Sequence, residues 1–523
     1  MLRPFLCVLC LFVANLFAAD GTYTNPIIDA DYSDPDVIRV GDDFYLTASS
    51  FNCIPGLPIL HSKDLVNWKI IGHALQEQRP LDEFDRPQHG KGVWAPAIRY
   101  HNNEFYIFYG DPDFGIYVLK ARNAAGPWSP PLLIRKARGW IDPAPFWDDD
   151  GNAYLVHAWA NSRSGIKSIL TINRMSADGT RLLDDGKTVF DGRVHHPTIE
   201  GPKLYKRNGY YYIFAPAGGV ATGWQTVLRS KNIYGPYEDR IVMDRGDTII
   251  NGPHQGGWVE LRSGESWFVH FQDRGAIGRV VHLQPMDWKN DWPVIGVDAD
   301  GDGKGEPVGK YRKPNVGRVY PAQAPQTSDE FASNKPGLQW QWHANPVADW
   351  MQITQGRLRL NTVPQDSANL WTAPNLLLQK FPARSFTVTT LIDGSRLREG
   401  ERSGLLIMGR DYSYIAIDGG RLVRMTSTDA AKGLPETENA AVHLKTKTLF
   451  LRVSVVEGIC LFSYSTNGKQ FEQLGNVFVA QPGVWIGAKV GLFSVGPGDG
   501  HADFDWFRFA PPRRSSRTPA RVR

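Results

Sequence analysis

The sequence predicts an all-β protein whose first three hundred residues form a five-bladed β-propeller. Three observations carry this reading: a hairpin pattern that returns five times, a second turn marker behind most copies, and a composition rich in turn formers and aromatics. Gly 52 and Pro 36 make up about 17% of the 523 residues, against roughly 12% on average, so the chain turns often. Trp 17, Tyr 19 and Phe 25 supply the bulk for large cores, which excludes low-complexity disorder, collagen and coiled coil. The length suits two domains.

The repeat opens with Asp34-Pro35-Asp36-Val37 and turns at Gly41-Asp42 into Phe44-Tyr45-Leu46. Its second copy starts at Ala95-Pro96 and turns at Asn102-Asn103, and its third starts at Asp142-Pro143 and turns near Gly151. A fourth starts at Gly201-Pro202 and turns at Asn208-Gly209; a degenerate fifth runs from His254 through Ser263-Gly264 into Trp267-Phe268-Val269. Aromatic and β-branched residues on both sides of such turns are the hairpin signal. Ser62-Lys63-Asp64 to Trp68, Ala121-Arg122-Asn123 to Trp128 and Ser230-Lys231-Asn232 to Tyr237 mark a second hairpin, so each unit is a four-stranded blade. Five blades spaced about 47 to 61 residues apart fit a propeller over residues 20–320, a β-sandwich array being the alternative.

In a propeller the first strand of every blade lines the central channel, so equivalent repeat positions meet at one end of the axis. There stand Asp34, Trp94 with Ala95, Asp142, Glu200 with Gly201, and His254. One Asp at a strand start is an ordinary turn former; three acids in register call for another explanation. Like charges in a partly desolvated pocket push their pKa values apart, and that asymmetry separates an acid from a base. Two such carboxyls flanking an acetal are the apparatus of glycoside hydrolysis, and Trp94 offers a face for a sugar ring.

Asp34-Pro35-Asp36-Val37, Gly92-Val93-Trp94-Ala95-Pro96, Trp140-Ile141-Asp142-Pro143 and Glu200-Gly201-Pro202, in that order, resemble glycoside hydrolase family 43 over about residues 23–320. His61-Ser62-Lys63-Asp64-Leu65-Val66-Asn67-Trp68 and Ala215-Pro216-Ala217-Gly218-Gly219 place the resemblance in its β-xylosidase and α-L-arabinofuranosidase branch. Ser328-Asp329-Glu330-Phe331 with Trp340 and Trp342 is similar to the start of the concanavalin-A-like (jelly-roll) β-sandwich appended to that branch, implied here over 328–510. Alternating runs such as Phe386–Ile392 and Leu449–Val455 agree with it. Such a domain binds polysaccharide independently, or packs on the propeller and narrows the pocket with a loop; the second is the expectation.

The resemblance implies inversion, with Asp34 as general base, Glu200 as general acid, and Asp142 as the ionised neighbour that positions the acid and helps it keep its proton. It implies substrate binding by Arg279, with Phe51, Trp94, Trp159 and His254 around the pocket. His254 matches a histidine that in several relatives touches a hydrated calcium ion on the axis. A structural calcium ion there is thus an option, His254 its contact, while the chemistry requires no cofactor. Lys203 stands where many relatives carry histidine.

Residues 1–19 read as a secretory signal peptide, with Arg3, an apolar stretch from Phe5 to Phe17, and Ala18-Ala19, which implies a secreted or periplasmic protein. No later stretch is long and apolar enough to span a membrane. Residues 511–523 read as a disordered basic tail. Without Arg3 and the five tail arginines the formal charge turns from +4 to −2, so no basic stripe invites nucleic acid. Cys53 and Cys460 do not make a disulfide framework once Cys7 and Cys10 leave with the leader. Asp298-Ala299-Asp300-Gly301-Asp302-Gly303 opens like an EF-hand loop but has Gly309 at the twelfth position, and reads as an acidic turn.

The expected function is therefore a secreted exo-glycosidase that removes terminal β-D-xylose or α-L-arabinofuranose from plant cell-wall polysaccharides and oligosaccharides. The alternatives are a non-catalytic carbohydrate-binding propeller and an exo-arabinanase or galactanase of the same fold.

Overall fold

A computed structural model describes residues 21–365 and 367–511. The leader and all of the basic tail beyond Pro511 lie outside the described residues. Five four-stranded antiparallel sheets follow one another, each with its strands in chain order: blade I (36–75), blade II (94–136), blade III (140–191), blade IV (203–243) and blade V (254–295). Consecutive strands pair because each is joined to the next by a turn whose residues accept a positive φ, such as Asn102, Asn103 and Asn208.

The blades are held by five apolar clusters, one per neighbouring pair. Ile59, Leu75, Ile98 and Ile107 join I to II; Phe108, Val118 and Leu155 join II to III. Val156, Ile172, Leu204 and Ile213 join III to IV; Phe214, Val227 and Phe268 join IV to V. Val37, Leu46, Trp267 and Val281 join V back to I, which completes the ring. Burying each such side chain contributes about 1.5–3 kcal/mol, so alternation along the strands fixes blade order and blade packing together. The chain before blade I is part of the seam: Ile28 and Val281 exchange backbone hydrogen bonds, and Thr22–Thr24 pairs with Lys310–Arg312.

Residues 328–510 form two packed sheets, of eight and six strands, around Trp340, Phe386, Ile415, Val453 and Phe504. This β-sandwich rests on the entry side of the propeller. Ile54 and Trp342 exchange backbone bonds, the Asn52 amide donates to the His343 carbonyl, and Lys489 Nζ donates to Cys53 Sγ at 2.9 Å and Gln341 Oε1 at 3.1 Å. His89 stacks on Trp371 at 3.7 Å between ring centroids. Cys53 and Cys460 are both buried and free. No helix among the described residues is long and apolar enough to cross a membrane.

Candidate active site

The site forms where the innermost strands begin. Asp34 precedes the strand Asp36–Val40, Trp94 opens Trp94–His101, Asp142 is third in Trp140–Trp147, Glu200 precedes Lys203–Arg207, and His254 opens His254–Glu260. The backbone kinks at these points: φ is 53° at Asp34, 57° at Asp142 and 59° at Gly201. Non-glycine residues in the left-handed region cost energy and gather at functional sites. Register breaks at Trp94/Ala97, Ile141/Ala144 and His254/Gly256 are bulges that re-aim side chains. The outcome is one hollow of about 120 Å³, lined by Asp34, Phe51, Trp94, Asp142, Glu200, His254 and Arg279, together with Ile141, Val220, Gln255 and Trp485. It is far smaller than the roughly 300–1,000 Å³ of pockets for drug-sized ligands, and suits one sugar ring.

Each carboxyl has a different environment. Asp34, 5% exposed, receives only donors: Ser49 Oγ at 2.6 Å and Ser33 Oγ at 3.1 Å on Oδ2, and Arg279 Nη1 at 3.2 Å on Oδ1. That is the setting of a carboxylate free to accept a proton from water. Arg279 is itself fixed by Ser33 Oγ at 2.7 Å and by the Phe271 ring beneath its guanidinium. The Glu200 side chain is 31% exposed and meets His254 Nε2 at 2.9 Å through Oε1. Asp142, 2% exposed, accepts from the Gly201 N–H at 2.7 Å and from Gln255 Nε2 at 3.4 Å.

The sequence leads one to expect Asp142 ionised beside a protonated Glu200, and burial modifies that expectation. Desolvation first, then the negative charge of Glu200, push the Asp142 carboxyl up to about 8, while Lys203 and the Gly201 N–H oppose the rise. The penalty falls on Asp142 because it is sealed whereas Glu200 reaches the opening.

Seven of the eight residues anticipated from the sequence meet in the hollow; Trp159 does not line it. It ends the second strand of blade III, its indole N–H donates to Thr171 Oγ1 at 3.0 Å, and its ring packs edge-on against Trp140. Trp485 was not anticipated by number. It comes from the sandwich, is 51% exposed, and stands edge-on to Trp94 at 6.2 Å, with the Arg279 guanidinium 5.9 Å from its ring. The only sequence signal is a tryptophan between Val484 and Ile486 in a stretch bounded by Gly483 and Gly487. Gln255 and Ser49 were also missed, being polar residues without a chemistry of their own.

A hydrated calcium ion at the axis would be met by His254. His254 spends Nε2 on Glu200, which leaves one buried imidazole nitrogen, Nδ1, without a partner. Lys203, 1% exposed, brings a positive charge among Asp36, Asp142 and Asp34. The one convergence of three acidic or imidazole ligand atoms among the described residues is Asp298, Asp300 and Asp302, in the turn after blade V. Lys289 and Lys304 pair with these acids at 3.1 and 2.9 Å.

Comparison with known proteins agrees with this architecture. The profile of glycosyl hydrolases family 43 matches residues 23–293, and that of the beta xylosidase C-terminal concanavalin A-like domain matches 328–510. A putative beta-xylosidase of Xylanibacter ruminicola is 41% identical over 91% of this chain and 87% of its own length. A non-reducing end alpha-L-arabinofuranosidase of Bacteroides ovatus is 30% identical over 97% of this chain and 98% of its own. Among solved structures, the GH43 BlXynB protein from Bacillus licheniformis superposes with a TM-score of 0.82 at 29% identity, covering 94% of this chain and 100% of that one. The blades and the sandwich thus belong to one known design: this chain is a member of glycoside hydrolase family 43.

Proposed function

We propose that this glycoside hydrolase is an inverting, exo-acting enzyme that releases terminal β-D-xylosyl or α-L-arabinofuranosyl residues from plant cell-wall polysaccharides and their fragments. The observation that carries the reading is the hollow itself: about 120 Å³, the size of one sugar ring, with two distinct carboxyl environments. Asp34 removes a proton from the water that attacks the anomeric carbon. Glu200, at the opening, gives its proton to the departing glycosidic oxygen. Asp142 and His254 hold Glu200 from two sides, Arg279 binds hydroxyls of the terminal ring, and Phe51 and Trp94 pack on its faces. No step passes through a metal. The relatives named above as a xylosidase and an arabinofuranosidase support both sugars, and the leader-like N-terminal sequence supports work outside the cytoplasm.

The test is hydrolysis of aryl β-D-xyloside and aryl α-L-arabinofuranoside, with NMR of the first-formed anomer. Release from at least one, with inverted configuration, is expected. Release from neither, alongside measurable binding of the free sugars, would instead make the propeller a lectin.

The raised Asp142 carboxyl sets the pH dependence. The Asp142 carboxyl loses its proton as pH rises through about 8, which puts a further buried negative charge beside Glu200, so kcat/KM is expected to fall along an alkaline limb centred there. The same shift has a stability consequence of definite sign. A carboxyl raised from 3.8 to about 8 on folding makes the native state bind the proton more tightly, so its contribution is full below pH 4 and is lost as pH climbs towards 8. Thermal midpoints across that range check it.

A further inference from the structure

We propose that Asp31 is a positioning residue that ties two walls of the hollow together across the domain boundary; this deepens the reading above and rests on it. Asp31 is 2% exposed and lies three residues before Asp34. Its Oδ1 accepts from the backbone N–H of Arg279 at 2.9 Å, and its Oδ2 from the backbone N–H of Gly487 at 3.2 Å. Arg279 is the pocket's guanidinium and begins the third strand of blade V. Gly487 is two residues beyond Trp485, in the sandwich loop that closes the pocket. One carboxylate therefore fixes both, and its own chain continues into Asp34.

The surroundings are built for this approach. Gly278 has φ of +89°, and a Cβ there would stand 2.6 Å from Asp31 Cβ, Cγ and Oδ1. A Cβ on Gly487 would meet the Ile277 carbonyl oxygen at 2.7 Å and Gly278 Cα at 2.8 Å. Two glycines thus let the backbones of the propeller and the sandwich touch at the point where the carboxylate bridges them. The Ala488 N–H donates to the Ala276 carbonyl at 2.7 Å beside it. Trp485 itself is half exposed and has φ of 65°, and over the hollow it meets Trp94 edge-on and the Arg279 guanidinium. The loop is anchored to the propeller by the bonds from Gly487 to Asp31 and from Ala488 to Ala276, and only the first ends on a side chain.

Asp31 touches no reacting atom, so its loss should act on ring binding. Asp31→Asn keeps size and one acceptor but turns an NH₂ group towards one of the two N–H donors. KM is expected to rise about tenfold with kcat within about threefold, since a lost charge-assisted hydrogen bond is worth about a decade in affinity. Trp485→Ala should raise KM similarly. In the double variant the two effects should fall clearly short of multiplying, because Asp31 acts through the loop that carries Trp485. Gly487→Ala strains the same junction from the sandwich side and should reproduce the KM rise if Asp31→Asn folds poorly.

The ratios are read in parallel as Kd for free xylose and arabinose, so failure of the wild-type protein to turn over either glycoside defeats the functional reading without deciding this one. Fully multiplicative effects of Asp31→Asn and Trp485→Ala, or a fall in kcat at unchanged KM and Kd, would overturn the assignment.

Discussion

Asp34→Asn is expected to lower kcat by at least about 10³-fold while leaving the fold intact. A positioned general base contributes roughly 10²–10⁴-fold, and in an inverting reaction no second nucleophile can take over. The figure corresponds to about 4 kcal/mol of transition-state stabilisation. Asn keeps the shape and can leave its oxygen on Arg279, while its NH₂ group faces the Ser49 hydroxyl, which can turn from donor to acceptor. Stability should therefore change little, and sugar binding should persist. Single-turnover rates, with thermal midpoints as control, decide the matter; a variant that still turns over within tenfold of wild type removes Asp34 from the role of base.

Glu200→Gln has a signature that Asp34→Asn lacks. The amide still meets His254 but has no proton to give, so the loss depends on the leaving group. On xylo-oligosaccharides, whose departing alkoxide needs protonation, kcat should fall by about 10³-fold or more. On nitrophenyl glycosides, which leave with little help, it should fall by no more than about tenfold. Equal loss on both substrates would exclude Glu200 as the acid. Because the charge of Glu200 is one cause of the raised Asp142 carboxyl, the alkaline limb on aryl substrates should also move to lower pH in this variant.

These two expectations rest on residues that the sequence brought together. The recurring prolyl hairpins set the blade register, and register alone carried Asp34, Trp94, Asp142, Glu200 and His254 to one end of the axis. Periodicity is legible because every blade solves the same packing problem with the same residue types. What it does not encode is depth. Nothing in Asp142-Pro143 tells that this carboxyl is buried more completely than Glu200, so the seat of the raised pKa emerged only from the folded surroundings. Trp159 shows a related failure: an aromatic at a strand end suits a pocket wall, yet hydrogen bonding to Thr171 on the next strand holds it within its blade. Trp485 and Asp31 were illegible for a third reason. Their function comes from a contact between domains, and no repeat links a loop of the sandwich to a segment ahead of blade I.

The junction between propeller and sandwich has a consequence for how such an enzyme can change. Since Trp485 belongs to the sandwich, and Asp34 and Glu200 to the propeller, one wall of the opening and the proposed acid and base lie in different domains and are separately mutable. Drift in the appended unit could retune selectivity while chemistry stayed constant. The buried meeting of Cys53 with Lys489, and of Ile54 with Trp342, sets the price: neither half can be exchanged without a partner shaped to receive it.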